Sequence, residues 1–371
     1  MADVKKALID WAKPGIGSLS PYQPGKPIEE LQRELGIEDV VKLASNENPL
    51  GPGQKALAAV RARLDEMARY PDGSGYVLKQ ALAAHHECAP ETITLGNGSN
   101  EVLELIARVF AGPGDEVMFA EHCFVVYPLV TKAIGATPVQ IPARDYGHDL
   151  EAMASALTPN TRLVFIANPN NPTGTWVNDT ALKTFMRVVP ADCLVVLDEA
   201  YFEYAQRPGY PDGTTLMAEY PNLMVTRTFS KVYGLASMRI GYALSSPEVA
   251  DLMNRVRQPF NVNDPCMAAA EAALHDTLHL RVSVDTNAHG MQVLEEGLHG
   301  LGYATIPSIA NFITFDTGTD ASPVYDKLLH AGVIVRPIAG YGLPQHLRVS
   351  IGTEHENRRF LAALERITAS A

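Results

Sequence analysis

Five apolar runs rich in β-branched residues recur between helix-like segments, and each ends in polar, glycine or asparagine residues. They are "ETITLGNGSN", "DEVMFAEH", "RLVFIANPN", "CLVVLDEA" and "LMVTRTFS", separated by patterns such as "NEVLELIARVFA" and "DTALKTFMRVV". Strands buried on both faces of a parallel sheet have this form, and α/β proteins gather ligands at the carboxyl ends of such strands. The expectation is an α/β fold: a large domain with a mostly parallel sheet between helices. After "RVRQPFNVND" the pattern changes to longer helices and then to "NFITFDT", "GVIVRPI" and "HLRVSIG", read as a smaller α/β domain. The expected division is an arm and part of the small domain over 1–45, the large domain over 46–257, and the small domain over 258–371.

Composition narrows the function classes. Of 371 residues, 46% are hydrophobic and 19% charged, which describes a globular chain. The formal net charge of −12 argues against general binding of nucleic acid or anionic membrane, since both need a basic face. A few arginines in a cleft still allow a small anionic substrate. The opening "MADVKKALIDWAKPG" carries charges throughout and does not read as a secretory signal, and no apolar run reaches membrane-span length. Cys88, Cys123, Cys193 and Cys266 are scattered without a CxxC pair, so reduced thiols in the cytoplasm are expected and no metal site. His85 and His86 in "AAHHEC" are adjacent and diverge on a helix, with no further ligand at i+4; a solvated helix face is expected there.

The polar strand ends carry the chemistry. Gly96, Gly98, Ser99 and Asn100 stand where a strand turns into a helix. This is either a tight turn or, through free N–H groups at the helix start, an anion site suited to phosphate. Asp198 closes a strand that should be fully buried, so it either caps the next segment or faces a cation or a ring N–H. Asn171 lies in the "NPNNPTG" loop, and Phe124 just past another strand is either core or a platform for a ligand ring.

Lys231 is the odd residue. Beyond Lys183 only Lys231 and Lys327 are lysine, and nearly every other cation there is arginine. A lone lysine is ordinarily a solvated surface group. This one sits between Ser230 and a "VYGLASMR" turn ending in Arg239. Unlike arginine, a lysine amine can lose its proton and attack a carbonyl. A lysine for a Schiff base, a carboxylate for a pyridine nitrogen, a helix start for a phosphate ester and an aromatic platform together describe pyridoxal 5'-phosphate.

The ordered stretches "SPYQPGKPIEEL", "KLASNENPLGP", "RYPDG", "LGNGSNE", "ANPNNPTGT", "DEAYFEY", "TRTFSKVYGLASMRIGY", "RVRQPFNVN", "VIVRPI" and "LRVSIGT" span nearly the whole chain. In them the chain resembles class I/II pyridoxal-phosphate aminotransferases of the aspartate aminotransferase fold (fold-type I), and among these the histidinol-phosphate aminotransferases. The resemblance implies catalytic roles for Lys231, Asp198 and Tyr201. It implies that Asn171 and Tyr201 bond the cofactor's ring oxygen and Phe124 stacks on its ring. Gly98, Ser99, Ser230 and Arg239 would hold its phosphate, Asn100 and Thr228 would also bind the cofactor, and Tyr70 would reach the phosphate of a neighbouring subunit in a homodimer. Arg348 would bind the substrate carboxylate, with Arg336, Tyr22 and Asn48 shaping the pocket. Val232 and the "ASM" before Arg239 depart from the alanine and "AGL" usual there, as packing changes. The implied substrates are histidinol phosphate and glutamate or 2-oxoglutarate, in histidine biosynthesis. An aromatic amino-acid aminotransferase, a phosphate-ester amino-acid decarboxylase and a non-enzymatic cofactor-sensing domain are the alternatives. The sensor reading is disfavoured by the missing basic footprint.

Overall fold

The structure is a computed structural model that describes residues 10–13, 15–21 and 25–369. Its strands are β1 (Val41–Lys42), β2 (Ile93–Gly96), β3 (Glu116–Ala120), β4 (Thr137–Ile141), β5 (Thr161–Ala167), β6 (Leu194–Asp198) and β7 (Leu223–Thr228). The series continues with β8 (Gly241–Leu244), β9 (Thr305–Ile306), β10 (Phe312–Asp316), β11 (Val333–Ile334), β12 (Arg336–Pro337) and β13 (His346–Ser350). Seven of them form the large sheet in the order β2-β8-β7-β6-β5-β3-β4.

Within that sheet β4, β3, β5, β6 and β7 run parallel, and β8 is antiparallel to both β7 and β2. The parallel reading therefore holds for four of the five runs singled out. It fails for β2, an edge strand that pairs only with the antiparallel β8. Every residue of β2, β6 and β7 is buried, so an apolar run looks the same whichever way its neighbour points. Two core layers cover the sheet. One joins Val102, Ile106, Tyr127 and Phe165, and the other Met153, Ile166, Leu182 and Phe185.

The smaller body is built around the antiparallel sheet β12-β13-β10-β9. Its core joins Leu294, Ile313, Phe315, Val349 and Phe360 with Val41 and Leu43 from near the amino terminus. Parallel pairing of β1 with β11 ties residues 41–42 to this body. The boundary after residue 257 does not match the packing. Helix Asp264–Leu274, capped by the Asn263 side chain, buries Cys266, Met267, Ala270 and Leu274. Those residues share one core with Ala56, Leu78, Leu82 and Phe229 of the large body. Its alanine-rich surface lets the helix lie close to Gln54–Arg63, a preference that helical periodicity alone does not reveal. We propose that the boundary falls in the next helix, Thr277–Gly300.

Among the described residues no helix is long and apolar enough to cross a membrane. His86 is not on a solvated face as expected: its Nε2 lies 2.9 Å from the Tyr242 hydroxyl. Burial pushes the ring down to about 3, which keeps it neutral.

Candidate active site

Parallel strands deliver their carboxyl ends to one edge of the sheet, and a cavity of about 250 Å3 opens there between the two bodies. Asp198 is the last residue of β6, and Thr228 the last of β7, with Ser230 and Lys231 just beyond. Phe124 follows β3 and Asn171 follows β5. The lining brings together Ser99, Asn100, Phe124, Asn171, Asp198, Tyr201, Thr228, Ser230, Lys231, Arg239, Arg336 and Arg348; these were twelve of the expected site residues.

Asp198 is 5% exposed and held at both oxygens. The Tyr127 hydroxyl donates to Oδ2 at 2.8 Å, and Thr226 Oγ1 donates to Oδ1 at 3.0 Å. Burial raises its carboxyl above the usual range, while these two bonds and the charge of Lys231 oppose the rise. A buried carboxylate held in this way is matched to a cationic N–H donor. The 3-10 turn that follows starts from Tyr201 and has no side-chain cap.

Lys231 Nζ donates to the Ser45 carbonyl at 3.2 Å and lies 5.5 Å from the centre of the Tyr201 ring. Burial, reinforced by the Arg348 charge, lowers its amine to about 8. At pH 7 roughly one amine in ten is then neutral, against fewer than one in a thousand for an ordinary lysine. Tyr201 oxygen accepts from Asn46 Nδ2 at 2.9 Å and from Asn171 Nδ2 at 3.2 Å. Burial pushes this hydroxyl up to about 12, so it stays protonated and keeps its own O–H for an acceptor.

The anion cradle lies at the start of helix Ser99–Phe110. Gly98 takes φ 77° there, and no side chain caps the helix. A Cβ on Gly98 would stand 2.4 Å from Arg239 Nη2, and one on Gly241 would stand 2.4 Å from the Ser99 nitrogen. Arg239 itself sits in the left-handed region at φ 57°, and its Nη1 donates to Ser230 Oγ at 3.4 Å. Left-handed backbone costs a non-glycine residue about 1–2 kcal/mol. A guanidinium, the Ser230 hydroxyl and uncapped N–H groups around a space cleared by glycines fit a phosphate monoester.

Arg348 forms the opposite wall. Its Nη1 donates to Asn171 Oδ1 at 2.6 Å and its Nη2 to the Ala44 carbonyl at 2.8 Å. Arg336 lies directly across from it in the β12–β13 register, and both line the cavity. Like charges paired across strands are unfavourable unless an anion lies between them.

Three of the expected residues among those described are not in the lining. Gly98 sits just behind it, against Arg239. Tyr70 is 83% exposed and stacks on Phe260 at 4.8 Å, outside the cavity of this single chain. Asn48 turns away: its Nδ2 bonds the Val232 carbonyl at 2.7 Å and Ser283 Oγ at 2.9 Å. Tyr22 lies outside the described residues. The place expected for Asn48 is taken by Asn46, whose φ of 55° reverses the strand-like alternation in "SNEN". Asn46 and Tyr127 went unread in the sequence, and nothing in their spacing marks them.

A lysine amine, an opposed buried carboxylate and a phosphate cradle at the strand ends of this fold define an aminotransferase site. The model of the family "Aminotransferase class I and II" matches residues 38–364, and the chain belongs to that family. Within it the chain is similar to histidinol-phosphate aminotransferases. It is 57% identical over 360 residues to histidinol-phosphate aminotransferase 2 of Pseudomonas fluorescens (strain Pf0-1), covering 96% of this chain and 97% of that one. It is 58% identical to histidinol-phosphate aminotransferase 2 of Pseudomonas aeruginosa, covering 96% and 98%. The crystal structure of histidinol-phosphate aminotransferase from Sinorhizobium meliloti in complex with pyridoxal-5'-phosphate superposes with a TM-score of 0.88 at 33% identity, covering 96% and 97%. Aspartate aminotransferase from Thermus thermophilus with maleate, 23% identical, shares the fold at a TM-score of 0.83, covering 96% and 98%.

Proposed function

We propose that this chain moves the amino group of L-histidinol phosphate to 2-oxoglutarate, giving imidazole-acetol phosphate and glutamate, with pyridoxal 5'-phosphate as cofactor. The step belongs to histidine biosynthesis, and the enzyme works in the cytoplasm as a homodimer. The observation that carries this reading is the arginine pair, Arg336 and Arg348, facing the same cavity as Lys231 and Asp198. Histidinol phosphate carries no α-carboxylate, whereas glutamate and 2-oxoglutarate do. One site must therefore bind a phosphate ester in one half-reaction and carboxylates in the other, and guanidinium forks suit both.

The bound cofactor supplies an aldehyde carbon and a protonated pyridine ring that takes up the electron pair freed at the substrate Cα. Asp198 keeps a negative charge at the ring nitrogen, steadied by Tyr127 and Thr226. Lys231 Nζ would anchor the cofactor at rest; with the substrate amine in its place, the free amine would take the proton from Cα and deliver it to the carbon that was the cofactor's aldehyde carbon. Its lowered proton affinity is what lets it accept that proton near neutral pH. Tyr201 and Asn171 bond the ring oxygen, and Phe124 offers its face to the ring. Ser99 and Asn100 at the helix start, with Thr228, Ser230 and Arg239, hold the cofactor phosphate. Tyr70, exposed on the single chain, completes that phosphate site in the neighbouring subunit.

Single-turnover bleaching of the bound cofactor, measured separately with histidinol phosphate, phenylalanine and tyrosine, tests the proposal. Histidinol phosphate should react with the highest kcat/KM. A higher value for phenylalanine makes the enzyme an aromatic aminotransferase.

A further inference from the structure

His122 belongs to the large body, between β3 and Phe124, and is 8% exposed. Its ring Nδ1 lies 2.7 Å from the main-chain carbonyl of Tyr341, which ends the 3-10 turn Ala339–Tyr341 of the small body. A carbonyl can only accept, so Nδ1 carries the proton and donates. The turn closes on Gly342 at φ 79°, where a Cβ would come to 3.5 Å from the imidazole. On its other side the ring faces Tyr146 at 6.3 Å, and Tyr146 meets His346 of β13 at 5.6 Å. The His122 carbonyl is in turn held by Asn170 Nδ2 at 2.6 Å, beside Asn171.

We propose that His122 is a positioning residue that fastens the turn bearing Tyr341, and with it the Arg336 segment, over the cavity. Tyr341 and Arg336 both line that cavity, while His122 does not. It therefore touches no substrate and acts through the wall it holds. The bond joins the two bodies close to the β12–β13 pairing that carries Arg336. This inference rests on the reading that Arg336 and Tyr341 face the substrate. A wall that contacts substrate alike before and during reaction governs KM rather than kcat.

The test compares His122→Phe with His122→Asn in the cofactor-loaded enzyme. Phenylalanine keeps a flat ring but leaves the Tyr341 carbonyl without its donor. Asparagine places an N–H on the atom next to Cγ, as Nδ1 does. His122→Phe should raise KM for both histidinol phosphate and glutamate about tenfold, with kcat changed less than about twofold, and His122→Asn should return KM to within about threefold of wild type. Should the phenylalanine variant not fold, His122→Gln, whose amide nitrogen sits one carbon too far, takes its place with the same expectation. Cofactor absorbance and melting temperature are measured alongside, and neither should move for His122→Asn. An unchanged KM in the donor-less variant, a loss confined to kcat, or an asparagine variant no better than phenylalanine overturns the proposal. If wild-type enzyme leaves histidinol phosphate untouched, the functional reading fails, and the glutamate KM alone decides the role of His122.

Discussion

Replacing Arg227 by methionine removes the charge that holds two carboxylates in place behind the active site. Arg227 Nε and Nη2 donate to Glu199 Oε2 at 3.0 and 2.8 Å, and Nη2 also reaches Asp212 Oδ1 at 2.8 Å. Its guanidinium carbon lies 3.5 Å above the Phe202 ring. Arg227 is 4% exposed and Glu199 is fully buried. Methionine fills much of the same space, so the effect is one of charge rather than of a cavity. Removing one partner of a buried pair costs about 3–5 kcal/mol. With an unfolding entropy of about 2.1 cal/mol/K per residue over this chain, a loss of about 4 kcal/mol lowers Tm by about 5 °C.

The deficit should also depend on pH. Burial pushes the Glu199 carboxyl up to about 7, with Arg227 opposing; without Arg227 the carboxyl rises further. A group whose folded pKa is raised adds stability that is fully present below its unfolded value and lost as pH rises through the folded one. The gap to wild type should accordingly be largest near pH 8 and shrink towards about pH 5, where Glu199 enters the core neutral. Calorimetric melting of cofactor-loaded protein at both pH values is the assay. A deficit below about 1 kcal/mol at pH 8, or one equal at the two pH values, would refute a buried ion pair of this kind. Adding Glu199→Gln to the methionine variant should recover part of the loss.

Borohydride should fix the cofactor on Lys231, read by peptide mapping. An adduct on Lys327 would sink the assignment, and capture of pyridoxal phosphate by cofactor-free protein should quicken as pH rises through about 8, where the amine loses its proton. Arg336→Ala should lower kcat/KM for histidinol phosphate about ten- to hundredfold, the loss of one charged hydrogen bond, and hurt phenylalanine less. Arg348→Ala should damage every anionic substrate, 2-oxoglutarate included, so an equal loss in both variants for all substrates would count against separate roles. Mixed dimers of inactive Lys231→Ala and inactive Tyr70 variants should regain activity, because one of the two sites then carries neither lesion; no regain despite proven exchange argues against a shared site.

The residues that could be read in advance are those whose chemistry conflicts with their surroundings. Asp198 ends a wholly apolar run, and Lys231 is a lysine in a stretch of arginines. Each conflict is visible within a dozen residues of sequence. Tyr127 and Asn46 show no conflict. Tyr127 reads as ordinary core on an apolar helix, and its hydroxyl meets Asp198 only because that helix passes behind a strand end 71 residues away in sequence. Asn46 stands in a run of polar residues where the left-handed turn, rather than the residue type, decides which side chain faces the cavity. The antiparallel edge of β2 and the allegiance of helix Asp264–Leu274 were hidden for a related reason. Burial shapes the local pattern, but the choice of neighbour is made by chain segments far away.

Charge links the whole chain to the site. The protein carries a formal charge of −12, yet the cavity is lined by Lys231, Arg239, Arg336 and Arg348 against only Asp198 and Glu47 among the described residues. Asp198 lies at the floor with its charge engaged by Tyr127 and Thr226, so an arriving anion meets mainly the cations. At physiological ionic strength charges further apart than about 8 Å are largely screened in solvent. The acidic exterior therefore does little to repel a small anion already at the mouth, while the partly enclosed cations draw it in. The same exterior does repel a long polyanion, which must span many screening lengths to bind. A net acidic chain with a cationic cleft thus selects for small phosphate esters and carboxylates over nucleic acid, although both present the same phosphate oxygen to an arginine.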